Sequence, residues 1–169
     1  MTGCTMGCLF LELYDTILYC VGRLWYRVRQ FRSVLRPVVD PVELEAARGI
    51  LPAAWRSRFD ALGASEKAHV LRLVRAIRAD AGLADEDREQ LLLLAVTHDL
   101  GKTVTRPRLW ERVLRTLFSL PNEAHPSQSA RILRELGAPR ALIRRARHHH
   151  HDPGTDRLLA LFQSYDNNA

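Results

Sequence analysis

Lysine is almost missing from this chain of 169 residues: Lys67 and Lys102 are its whole complement, so arginine supplies nearly all of the positive charge. Cysteine is scarce as well. Cys4, Cys8 and Cys20 all lie in the first twenty residues, and an odd number with no partners further on excludes a disulfide framework and fits a reducing cytoplasm. Cys4 and Cys8 have the spacing of half a zinc site, but no second Cys/His pair follows nearby to complete one. No hydrophobic run is long enough to span a bilayer: the apolar stretch from Cys8 to Gly22 is interrupted by Glu12 and Asp15, falls short of the roughly 20 residues required, and has no early basic segment before it. Stable membrane insertion is therefore not expected and the expected location is the cytoplasm; Trp25, Tyr26, Arg27, Arg29 and Arg32 directly afterwards leave an amphipathic surface helix as the alternative. Also missing are internal repeats, low-complexity segments and the short alternating runs between turns that mark sheets. The fold class that remains is all-α.

What is present fits that class. Hydrophobic residues make up 47% of the chain and charged residues 26%, a soluble globular balance, and the length suits one compact domain. The net charge of +6 is accounted for first by a solvated basic surface, with attraction of phosphorylated substrates or nucleic acid as the sharper alternative.

Helical signals run throughout. A first helix is expected from about Leu9 to Leu35, stopped by Pro37. Asp40-Pro41 reads as an N-cap and first turn of a short helix to about Ile50, and Pro52 opens another, carrying Trp55, Phe59 and Leu62, that ends at Gly63. Ser65 is expected to cap the next helix, with His69 near its start and Val70, Leu73, Val74 and Ile77 as its apolar stripe. Asp85 is expected to cap a helix whose run from Leu91 to Val96 is apolar on all sides, hence central, and which delivers His98-Asp99 at its end. A helix from about Pro107 to Leu120 and one from near His125 to Gly137 follow. Pro139 starts another that reaches His148, His149, His150 and His151; Asp152-Pro153-Gly154 then turns the chain into a last helix, about Asp156 to Asp166.

A lone histidine on an apolar helix, such as His69 or His125, is more often a satisfied core residue than a ligand. Here, however, histidines and aspartates recur at the ends of successive helices, where a bundle can aim them at one point. The segment His98-Asp99-Leu100-Gly101-Lys102, after a leucine-rich helix and 29 positions beyond His69, resembles the signature of the HD superfamily. His125-Pro126-Ser127-Gln128-Ser129-Ala130 and His150-His151-Asp152-Pro153 resemble its two-metal subgroup, which includes the HD-GYP phosphodiesterases. The GYP segment itself is missing, since Thr155 and Asp156 follow Gly154, so specificity for cyclic dinucleotides is not implied.

The resemblance implies an HD domain over residues 64–169 with an N-terminal helical extension over 1–63, a cap or a homodimerisation surface. It further implies two divalent transition-metal ions, with iron and manganese among the candidates. Imidazole and carboxylate suit such ions, and a bridging aspartate, here Asp99, can hold two of them about 3.5–4 Å apart. By resemblance His69, His98 and Asp166 complete one ion's ligands and His125, His150 and His151 the other's, with His148 and His149 as bystanders or alternates. Such a site hydrolyses phosphate esters without a protein nucleophile, with Lys102 set against the substrate phosphate. The implied activity is that of a metal-dependent phosphohydrolase acting on a nucleotide or related phosphate ester, with nucleic acid not expected as a partner. The alternatives are a di-iron oxygenase and a non-catalytic nucleotide-sensing module.

Overall fold

A computed structural model describes residues 37–105 and 124–169. The expected helices at 9–35 and 107–120, the three cysteines and the aromatic-arginine segment at 25–32 lie outside the described residues.

The described residues are all-α, with no strand among them. Helix α1 (Pro41–Arg48) starts where its sequence says: the Asp40 carboxylate accepts from Val42 and Glu43 N–H, both at 2.9 Å, and Pro41 takes the first helical position. After a 3-10 turn (Ala53–Trp55) and α2 (Arg56–Asp60) comes α3 (Ala64–Ala79). Its N-cap is Gly63, not the expected Ser65, which sits inside the first turn. A Cβ at Gly63 would lie 2.6 Å from Glu66 Oε2, so the glycine leaves room for a glutamate that folds back over the helix start. Helix α4 (Asp85–Thr97) likewise begins one residue before expectation, on Ala84, and places Asp85, Glu86 and Asp87 in the first turn, where their charge suits the helix dipole. A short α5 (Lys102–Thr105), then α6 (Ala124–Glu135), α7 (Arg140–His148) and α8 (Arg157–Asn168) complete the set.

Helix α4 packs against α3, α7 and α8, with α6 beside α7 and α1 on α3. Leu91, Leu94, Ala95 and Val96 are all buried, as an apolar run without a polar face requires. The same core takes in Ala47, Leu51, Trp55, Phe59 and Leu62, so the segment before residue 63 shares it. Burying a side chain of the size of Phe59 or Phe162, both fully inaccessible, contributes roughly 1.5–3 kcal/mol. No helix among the described residues is long and apolar enough to cross a membrane.

The last helix is pinned along its length. Asp156 caps it by accepting from Leu159 N–H at 3.1 Å, Arg145 joins that cap to Gln90 of α4, Tyr165 donates to Asp80, and Arg72 Nε donates to the Ala169 carbonyl at 2.8 Å. Asp166 is consequently held in place near the end of the chain, where an unattached helix would fray.

Candidate metal centre

Five helices meet at the centre of this bundle. His69 lies in the second turn of α3. His98 and Asp99 leave the end of α4 inside the core, 1% and 2% exposed, and the tight hydrogen bonds Leu100 N to Thr97 O and Lys102 N to Asp99 O carry the chain into α5. Gly101 is what lets α6 come close. Its N–H donates to Ser129 Oγ at 2.8 Å, and a Cβ there would stand 2.1 Å from the His125 carbonyl oxygen and 2.6 Å from Ser129 N. His125, in the first turn of α6, is thereby brought against Asp99.

Asp99 stands between two groups of donors. On one side, its Oδ2 is 3.3 Å from His98 Nε2, while Asp166 Oδ1 lies 2.8 Å from His69 Nε2 and 3.9 Å from His98 Nε2. On the other, its Oδ1 is 3.4 Å from His125 Nε2, which faces His150 Nε2 at 3.2 Å. Lys102 Nζ donates to Asp99 Oδ2 at 2.6 Å with its side chain 26% exposed, so the ammonium bridges the buried carboxylate and the rim.

The histidine run divides. Helix α7 ends at His148, and His149 follows in an αR C-cap conformation. His149 is 1% exposed, its ring 3.9 Å from that of His150 and 5.3 Å from that of His125, centroid to centroid. His148, His150 and His151 are all exposed as residues, but His150 turns its ring to His125 and His149 while the rings of His148 and His151 pair with each other at 5.6 Å. Of the residues named from the sequence, His69, His98, Asp99, Lys102, His125, His150 and Asp166 come together; His151 does not, and His149, named only as an alternate, takes a place beside His125 and His150. A signal for it exists in the sequence: Leu142, Ala146 and His149 are spaced four and three apart, and the first two are core residues. Arg145 is drawn inward to Asp156 and Gln90, and Arg144 also pairs with Asp156.

The electrostatics suit a cation. Burial, more than any other effect, pushes His125 down to about 4 and lowers His149 and His150, so these three imidazoles are neutral near pH 7. Burial opposes ionisation of Asp99, but His98 and Lys102 outweigh it and hold that carboxyl well below its usual range. Asp166 is lowered too, against its burial, by the hydrogen bond from His69 and the charge of His98. His98, which burial alone would depress, is raised by Asp99 and then Asp166. Two carboxylates thus face the Lys102 ammonium and the His98 ring, so the negative charge is held in a dry place beside groups of opposite sign.

Donor chemistry gives a direct test of whether an ion fits. His98 Nδ1 lies 3.0 Å from the Ala95 carbonyl and His149 Nδ1 2.7 Å from the Ala146 carbonyl. A carbonyl can only accept, so both Nδ1 atoms carry hydrogen and, in the neutral rings, both Nε2 lone pairs point to the centre, the arrangement typical of metal-bound histidine. Asp99 Oδ1 and His149 Nε2 are buried without a hydrogen-bond partner, a costly state unless something else satisfies them. Ligand atoms about 2.1 Å from a tetrahedral ion stand roughly 3.4 Å apart, close to the 3.2 Å between His125 and His150 and the 3.4 Å between His125 and Asp99. His69, His98 and Asp99 form one group able to hold an ion, and His125, His149 and His150 a second.

Helix ends that converge histidines and aspartates on one buried carboxylate define a helical His–Asp domain. The HD domain family model matches residues 68–167, more than half of the chain, and the chain belongs to the HD-domain family. Members of that family are in general metal-dependent phosphohydrolases. No curated protein and no solved structure matches the sequence.

Proposed function

We propose that this chain is a metal-dependent phosphohydrolase, a phosphatase or phosphodiesterase, with two divalent transition-metal ions and a nucleotide or related phosphate ester as substrate. The observation that carries the reading is Asp99, a fully buried carboxylate with one oxygen turned to each donor group and one of those oxygens otherwise unpartnered. His69, His98 and Asp166 would hold one ion and His125, His149 and His150 the other, with Asp99 within reach of both. When bound, such a pair supplies Lewis acidity and an activated water to a phosphate ester.

The protein's own groups do the remaining work. The carbonyls of Ala95 and Ala146 fix the tautomers of His98 and His149, so that in the neutral rings the Nε2 lone pair, not an N–H, would face a cation. Asp99 and Asp166 stay ionised down to low pH. Lys102, at the rim, holds Asp99 and offers its remaining hydrogens to a substrate phosphate oxygen. Phe162, its ring 5.2 Å from that of His98, and the buried Leu100 keep water from the inner side.

Turnover of p-nitrophenyl phosphate, bis-p-nitrophenyl phosphate and a nucleotide panel in the presence of Mn(II) or Fe(II) tests the proposal. Activity on at least one class, lost on chelation and in Asp99→Ala, is the expected result. A metal-loaded protein inactive on mono- and diesters alike would remove it.

A further inference from the structure

One turn of α8 touches both donor groups. Asp166 belongs to the first, and Phe162 packs on His98 of the same group. Gln163, three residues before Asp166 and so on the same side of the helix, reaches the opposite way: its Nε2 donates to the His149 carbonyl at 3.2 Å and to the His151 carbonyl at 2.6 Å. Both amide hydrogens are thus used on the two carbonyls that flank His150.

Four consecutive histidines offer several adjacent pairs to the same pocket, and the backbone at this point has left the helix that would otherwise fix their direction. The turn's other backbone donors bond locally, His151 N to His148 O and Gly154 N to the Asp152 carboxylate, and apart from the contact of the His150 ring with His125 nothing in these bonds ties the turn's backbone to a neighbouring helix. Gln163 does. Resting on the metal-centre reading above, we infer that Gln163 is a positioning residue: by clamping the carbonyls of His149 and His151 it selects His149 and His150 as the inward pair and sets the affinity of the tri-histidine group. The clamp also ties that group to the helix that carries Asp166.

Cobalt(II) titration of the full chain, read by calorimetry and by visible absorption, tests this. His150→Ala and Asp166→Asn identify which binding event belongs to which group. Gln163→Met keeps the length of the side chain and removes both donors. It is expected to weaken the His150-dependent event tenfold or more, in the range typical when a ligand's orienting partner is lost, to change that event's d–d spectrum, and to leave the Asp166-dependent event within twofold. Should Gln163→Met fail to fold, Gln163→Glu, whose carboxylate faces the two carbonyls, is expected to give at least as large a selective loss. Equal weakening of both events, or any other distribution of losses, overturns the inference while leaving the metal centre intact. Failure of the unsubstituted chain to bind two equivalents of cobalt overturns the centre and this inference with it.

Discussion

Substituting Gly101 by alanine adds one methyl group at the closest approach of α5 and α6. The new carbon would sit 2.1 Å from the His125 carbonyl oxygen, 2.6 Å from Ser129 N and 2.9 Å from Gln128 Cβ. Two of these are backbone atoms of one helix and cannot turn aside as a side-chain tip would, so α6 must retreat by on the order of 1 Å to restore normal contact. Overpacking against a rigid element costs about 3 kcal/mol, which for a chain of this size lowers Tm by roughly 6–12 °C. The same movement carries His125 from Asp99, now 3.4 Å away, and lengthens the 2.8 Å bond from Gly101 N to Ser129 Oγ. Gly49→Ala, whose added carbon would meet nothing nearer than 3.4 Å, is the matched control and should stay within about 0.5 kcal/mol of the parent. Thermal denaturation of both variants beside cobalt titration checks the argument. A Gly101→Ala protein as stable as the Gly49→Ala control, with the tri-histidine group's affinity unchanged, would refute the claim that this glycine sets the distance between α6 and Asp99.

The histidine run gives a paired prediction: His149→Ala should weaken the second cobalt-binding event tenfold or more, whereas His151→Ala, at an exposed site, should leave binding within twofold and stability within about 0.5 kcal/mol; the reverse ranking would show that the wrong pair has been assigned. Asp156 gives a pH prediction. Its burial raises the carboxyl, but the bonds from Arg145 and Leu159 N–H, the charge of Arg145 and the bond from Arg144 outweigh this and leave it below its ordinary value. The stability it contributes is therefore complete above the unfolded-state value of about 3.9 and is lost as pH falls through the lower folded value. Asp156→Asn should accordingly show a shallower decline of Tm from about pH 5 to about pH 3 than the parent, and an equal slope would contradict the assignment.

How far these features were legible in the sequence depends on what fixes them. The His98-Asp99-Leu100-Gly101-Lys102 segment was readable because it follows an apolar helix, is broken by Gly101 and resembles a family signature; that the same glycine lets α6 approach is visible only in the fold. His69, His125 and Asp166 could be named only through the family resemblance, since a histidine on an apolar helix is by itself more often a core residue than a ligand. The helix starts at Gly63 and Ala84 were missed by one or two residues in favour of Ser65 and Asp85. Caps contribute about 1 kcal/mol, whereas the register of α3 and α4 is set by the buried faces behind them. In the histidine run, counting back from Asp152-Pro153 picks His150 and His151, while the fold buries His149 and points the ring of His150 at His125. That outcome depends on where α7 stops and on Gln163 from a helix beyond the next turn, a contact with no local trace.

The most direct test of the central claim is the metal content of the purified chain, measured by inductively coupled plasma mass spectrometry after saturation with Mn(II), Fe(II) or Co(II) and removal of excess. The account requires about two ions per chain, falling to one or none in an Asp99→Ala variant that retains its helical circular dichroism. A folded parent that holds no ion, or an Asp99→Ala protein that still holds two, would contradict it.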